Sequence, residues 1–81
     1  MRYLATFFTH HDALAFFSFL TAEKLQAKLM PTPRKISAAC GTCVTYLADA
    51  TDFAVDFDFY EAEAVYIESM GIYSKVWESK I

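Results

Sequence analysis

Two glycines, two prolines and two cysteines are all that this 81-residue chain holds of the residues that loosen, bend or staple a backbone. So few glycines leave no phosphate-cradling loop, and neither a calcium-loop spacing nor a Ser-His-Asp cue appears. The two cysteines stand so close that a disulfide between them would close only a tiny loop, with little entropic benefit. Basic residues are also scarce: seven Lys and Arg face ten Asp and Glu, for a net charge of −3. Nucleic-acid binding needs a concentrated basic footprint, so that class is disfavoured. No apolar run is long enough to span a bilayer, since residues 13–20 fall well short. No secretion signal is visible either. The short apolar start is interrupted by Thr9-His10-His11-Asp12, and no small-residue cleavage site follows. A cytoplasmic setting is expected, where a Cys-x-x-Cys is more often redox-active or metal-binding than structural.

What the chain has in quantity is aromatic and apolar side chains, 17% and 56% of residues, with eight Phe, five Tyr and one Trp. The length implies one domain, residues 1–81, with no linker, repeat or low-complexity tract. A domain this small buries a modest share of its surface. The apolar content exceeds what a monomer hides easily, and exposed apolar patches tend to mark interfaces. Self-association follows as an expectation.

Residues 2–8 read as a strand, rich in Tyr, Leu, Thr and Phe. Asp12 is placed to cap a helix that runs to about Lys24. Leu14, Phe17 and Leu20 fit its inner face; Phe16 and Phe19 fall on flanks that a small domain would expose. That width points to a homo-oligomer formed through the aromatic first helix. Residues 25–30 form a second candidate strand, ended by Pro31. Thr32 and Pro33 resemble a helix start, with Gly41 closing the short turn in a left-handed conformation. Residues 43–47 alternate as a third strand, and 49–52 read as a turn or cap. Residues 53–59 alternate like a strand, yet Phe53, Phe57, Tyr60, Ala64 and Ile67 recur at helical spacing. The run to Met70 is long for a strand, and Glu-Ala-Glu-Ala favours helix, so a second helix ended by Gly71 is expected. Residues 72–77 supply the last strand. The fold class is then α+β: a ferredoxin-like βαββαβ sandwich, an antiparallel sheet with two helices on one face.

Chemistry concentrates in the segment from Pro31 to Cys43. It holds both prolines and both cysteines, next to Arg34 and Lys35. A thiolate is both nucleophile and metal ligand, and nearby cations favour it. Small neighbours around Cys40 leave its thiol accessible, and Gly41 permits close approach of a ligand or partner. Cys43, among apolar strand residues, reads either as a second working thiol or as a small buried hydrophobe. If residues 33–39 form a helical turn, Cys40 lies at its C-terminal end, where the dipole disfavours a thiolate. Arg34 and Lys35 would then have to fold back to compensate. His10 and His11 have the wrong order and spacing to complete a zinc site with the cysteines, and no metal is expected. The acidic residues Asp49, Asp52, Asp56, Asp58, Glu61, Glu63 and Glu68 read as a solvated face. Tyr66, Tyr73 and Trp77 read as core or interface.

The string Pro31-x-Pro33-Arg34-x-Ile36-Ser37-x-x-Cys40-Gly41 resembles the signature of the small selenium/sulfur carrier-like family. Tyr3 to Phe8 with His11-Asp12-Ala13-Leu14 is similar to that family's first strand and helix start. Gly71-Ile72-Tyr73 is similar to its closing strand. The resemblance implies that Cys40 is a carrier thiol, holding sulfur or selenium as a persulfide or selenosulfide for an acceptor enzyme. It implies that Arg34, Ser37 and Gly41 shape the loop or stabilise the bound anion; Lys35 could join Arg34 in favouring the thiolate. Two departures stand out. Phe16, Phe17 and Phe19 replace the charged residues usual in the family's first helix, and Cys43 stands where an apolar residue is common. The implied partners are a cysteine desulfurase or other donor and an acceptor enzyme, with no cofactor. Such a chain is a carrier or co-substrate more than a stand-alone enzyme. Two alternatives stay open: a dithiol redox module using Cys40 and Cys43, and a non-catalytic oligomerising interaction domain.

Overall fold

The computed structural model describes residues 1–49 and 56–80. In chain order the elements are β1 (Arg2–Phe7), α1 (His10–Ala22), β2 (Ala27–Pro31), β3 (Thr42–Leu47), β4 (Ala62–Ser69) and β5 (Ile72–Glu78). The strands form one antiparallel sheet in the order β2-β3-β1-β4-β5. Among the described residues α1 is the single α-helix. The expected ferredoxin-like sandwich with two helices is therefore overturned: the described residues form a mostly β fold, a five-stranded sheet with one helix.

The second helix fails for a tertiary reason. Its Glu-Ala-Glu-Ala stretch lies at the start of β4, with Ala62, Ala64 and Val65 buried next to β1. Helix propensity is a weak preference, and pairing on both sides of β4 outweighs it. Among the described residues the helical spacing survives as one turn before the strand. There Asp56 Oδ1 accepts from the Phe59 amide, Glu61 N–H bonds the Asp58 carbonyl, and left-handed Glu61 closes the turn. Phe57 and Tyr60 from this turn pack on the helix aromatics. Of the expected turn at 49–52 and the alternation at 53–59, residues 50–55 lie outside the described residues. Gly71, expected to end a helix, instead sits at φ 78 beside Met70 at φ 54. Two successive positive φ values make the two-residue hairpin turn that joins β4 to β5.

The helix start also moves. Thr9, not Asp12, is the N-cap: its hydroxyl accepts the Asp12 amide at 3.1 Å and donates to Asp12 Oδ2 at 2.7 Å. At the other end Lys24 is left-handed at φ 63, with Lys24 N–H on the Thr21 carbonyl and Leu25 N–H on the Leu20 carbonyl. This paired closure ends the helix at Ala22.

The inward face is Ala13, Phe16 and Leu20, all fully buried, while Leu14 is 40% exposed. Phe16 and Phe19, expected on exposed flanks, pack inside the chain's own aromatic cluster with Phe7, Tyr46, Phe57 and Tyr60.

Side-chain alternation along β1 divides the interior in two. Tyr3, Ala5 and Phe7 face α1 with Val44, Tyr46 and Val65. Leu4 faces the other way, toward Cys43 and Ile36. The helix covers one side of the central strands, and the segment between β2 and β3 covers the other.

Candidate functional site

β2 ends where Pro31 pairs with Thr42, the first residue of β3. The chain between them, residues 32–41, carries the Pro-Arg…Cys-Gly motif. Its neck is pinned by Thr32, whose amide bonds the Gly41 carbonyl at 2.9 Å and whose hydroxyl bonds the Cys40 carbonyl at 3.1 Å. Thr32 thus acts as the loop's clasp and not as the helix cap expected. Inside that clasp Ile36 N–H bonds the Pro33 carbonyl as a single turn, and no helix forms among these described residues. The helix dipole that would have opposed a Cys40 thiolate is accordingly absent. Gly41 does not adopt the left-handed conformation expected, and a Cβ there would meet open space.

The loop lies flat on the sheet because Ile36 is apolar and has a socket. Ile36 is buried against Leu4 and Cys43, with Met30, Ala38, Tyr66 and Tyr73 around them. Two polar ties hold the loop laterally. Lys35 Nζ donates to the Gly71 carbonyl at 3.2 Å, and the Ala39 amide donates to Glu63 Oε1 at 3.0 Å. Glu63 stands near the start of β4 and Gly71 in the turn just past its end, about 20 Å apart at the usual strand rise. The loop therefore crosses the sheet from the β4–β5 turn to the start of β4, and Cys40 follows directly on the second tie. Arg34 and Ser37 are exposed, and neither makes a hydrogen bond or ion pair among the described residues.

The two thiols have opposite environments. Neither is in a disulfide. Cys40 is half-buried on the loop. Cys43 is fully buried on β3 beneath Ile36, with its Sγ 3.8 Å from the Pro31 carbonyl. Burial pushes the Cys43 thiol up from 9.0 to about 11, a hydrogen bond with Thr32 partly offsetting it. Tyr46 moves the same way: burial of its hydroxyl, which has no hydrogen-bond partner among the described residues, raises it, and nearby Tyr3 adds to the shift.

The raised thiol gives a stability prediction. A thiol whose pKa is higher in the folded state binds its proton more tightly when folded. Its contribution is fully present below about pH 9 and is lost as pH rises toward 11. That loss amounts to roughly 2–3 kcal/mol across the window. Urea melts at pH 8 and pH 11 should differ by at least that much, since Tyr46 adds in the same direction. In Cys43→Ala the alkaline loss should shrink; an equal loss would remove Cys43 as its cause.

Other residues singled out by sequence fall elsewhere. His10 opens α1, where its Nδ1 lies 3.1 Å from Thr42 Oγ1, at the Cys40 end of the loop. Among the described residues no group of three His, Cys, Asp or Glu could hold a metal ion. No helix among them is long and apolar enough to cross a membrane. The residues that sequence reasoning misses are Thr32 as clasp and Glu63 as tie. Glu63 falls among the acids that read as a solvated face, and nothing in its periodicity marks it out.

A family model described as "Putative Se/S carrier protein-like" matches residues 2–70. The chain belongs to this family. The matched span runs from β1 through the motif loop to Met70. It contains both cysteines, the Thr32 clasp and the Glu63 tie, and stops one residue short of Gly71. No curated protein and no solved structure matches the chain.

Proposed function

We propose that this member of the Se/S carrier family carries sulfur or selenium on Cys40, as a persulfide or selenosulfide handed from a donor to an acceptor enzyme. The observation that supports it most is the contrast between the thiols. Cys40 is accessible on a loop held at its neck and by two lateral ties, whereas Cys43 is sealed beneath that loop. A carrier needs one reachable sulfur on a fixed platform and no deep pocket.

The exchange balances without an outside oxidant. The Cys40 thiolate attacks the terminal sulfur of a donor cysteine persulfide. A new bond joins Cys40 Sγ to that sulfur, the donor's S–S bond breaks, and the donor cysteine leaves as thiolate. Delivery is the same step with the acceptor thiolate as nucleophile. A terminal selenium would move in the same way. The donor in this reading is a cysteine desulfurase or equivalent, the setting is cytoplasmic, and the chain acts as co-substrate. Arg34, exposed and without a partner among the described residues, is available to the anionic terminal atom or to a donor's acidic rim. Ser37 and Gly41 leave the loop surface uncluttered. Lys35 acts here as a loop tether, since its ammonium is committed to Gly71.

Intact-protein mass spectrometry after incubation with a cysteine desulfurase, cysteine and pyridoxal phosphate tests this. Wild type and Cys43→Ser should gain one sulfur, and Cys40→Ser should gain none. An equal gain in Cys40→Ser would overturn the assignment. A loss of two hydrogens that needs both cysteines would instead favour the dithiol module.

A further inference from the structure

The β1–β4 ladder is irregular at one place. Thr6 pairs with Ala64 and Phe7 pairs with Ala62, so Glu63 is an extra residue with no partner on β1. Such a bulge re-aims the side chain it contains and kinks the strand locally. Its consequence is visible on both sides. Ala62 and Val65 both turn into the core under α1, which strict alternation across Glu63 and Ala64 would forbid. Glu63 is left to point toward the motif loop, where Oε1 accepts the Ala39 amide at 3.0 Å. The bulge itself is well anchored. The buried Thr6 hydroxyl donates to the Ala64 carbonyl at 3.3 Å, and the Glu63 carbonyl accepts the Ser79 amide at 2.9 Å.

We propose that Glu63 is a positioning residue for the Cys40 thiol: a bulge-mounted carboxylate that holds the Ala38–Ala39 peptide, one residue before Cys40, and so sets where its sulfur is presented. The inference rests on the carrier reading for its purpose but on geometry for its substance. Thr32 holds the Cys40 carbonyl from one side, and Glu63 holds the Ala39 amide from the other. The cysteine is thereby fixed through the backbone on both flanks while its side chain stays free. A bond to an ionised acceptor is among the stronger hydrogen bonds, and this one restrains the loop just before Cys40, past the Ile36 anchor.

The test compares wild type, Glu63→Gln and Glu63→Ala by three readouts: amide exchange at Ala39, the alkylation rate of Cys40 with iodoacetamide, and sulfur loading from a desulfurase. In Glu63→Ala, Ala39 exchange should quicken about tenfold, as expected for losing one bond to a charged acceptor. Exchange at β1 amides should stay unchanged, which a general loss of structure would not allow. Loading should slow by a similar factor and alkylation should change. Glu63→Gln, which keeps the acceptor oxygen, should restore all three toward wild type. Unchanged Ala39 exchange in Glu63→Ala overturns the proposal. So does a Gln variant as impaired as Ala, because charge rather than the hydrogen bond would then be at work. Faster exchange with unaltered alkylation and loading also overturns it. If wild type fails to load at all, the carrier reading falls, and the exchange and alkylation arms still decide the role of Glu63.

Discussion

Phe16→Ala should be the most damaging single truncation in the chain. Phe16 is fully buried, and its ring centroid lies 5.3 Å from Phe7, 5.6 Å from Tyr46, 5.5 Å from Tyr60 and 6.1 Å from Phe57. It joins α1 to the central strand, to β3 and to the turn before β4. Removing it forfeits the transfer free energy of the ring and leaves a cavity that these neighbours cannot collapse into, at a cost of about 3–5 kcal/mol. A domain of this length has on the order of 4–12 kcal/mol in total. Each kcal/mol lowers the melting temperature by roughly 4–8 °C at this size, so a drop of about 20 °C is expected by circular dichroism. Leu14→Ala on the exposed side of the same helix should cost under about 1 kcal/mol. Equal effects from the two variants would mean that the helix packs on a different face.

The second large effect is chemical. Native protein treated with iodoacetamide at pH 8 should take up one alkyl group, on Cys40. With its thiol pushed up to about 11, Cys43 has about one thiolate in a thousand molecules at that pH, before the steric block of Ile36 is counted. Its labelling should be at least about a hundredfold slower and should appear only as the chain unfolds in denaturant. Peptide mapping separates the two sites. Comparable labelling of both cysteines would mean that the loop lifts readily from the sheet, and it would restore Cys43 as a resolving thiol in a dithiol module. Slow Cys43 labelling leaves that module without an accessible second sulfur.

The alkylation contrast also marks the reach of periodicity. Cys43 in an apolar alternating strand reads equally as a working thiol or a buried small residue, and the structure buries it, with β3 forming one position earlier than the alternation suggests. The loop above it is legible by motif, as the family match shows. The role of Lys35 is not, because its carbonyl acceptor lies 36 positions away on a turn that reads locally as a helix end. Phe16 falls on an exposed flank by periodicity because Leu14, Phe17 and Leu20 give an equally regular stripe. The stripe actually used is selected by the small Ala13, which lets the helix approach the sheet, and by the aromatic partners waiting on β1, β3 and the turn before β4.

Local patterning or a contiguous string is enough to specify β1, the first helix, the strands around the motif, the closing strand and the family. Residues 62–69 become a strand only in the assembled sheet, since Glu-Ala-Glu-Ala leans to helix until β1 and β5 offer hydrogen bonds on both edges. Which thiol faces outward and which inward depends on the side of the sheet that the loop folds across, and no short-range pattern encodes that. Glu63 becomes a partner of the Cys40 loop through long-range pairing alone, because a single unpaired residue in a ladder shifts side-chain direction and leaves no mark in composition or spacing.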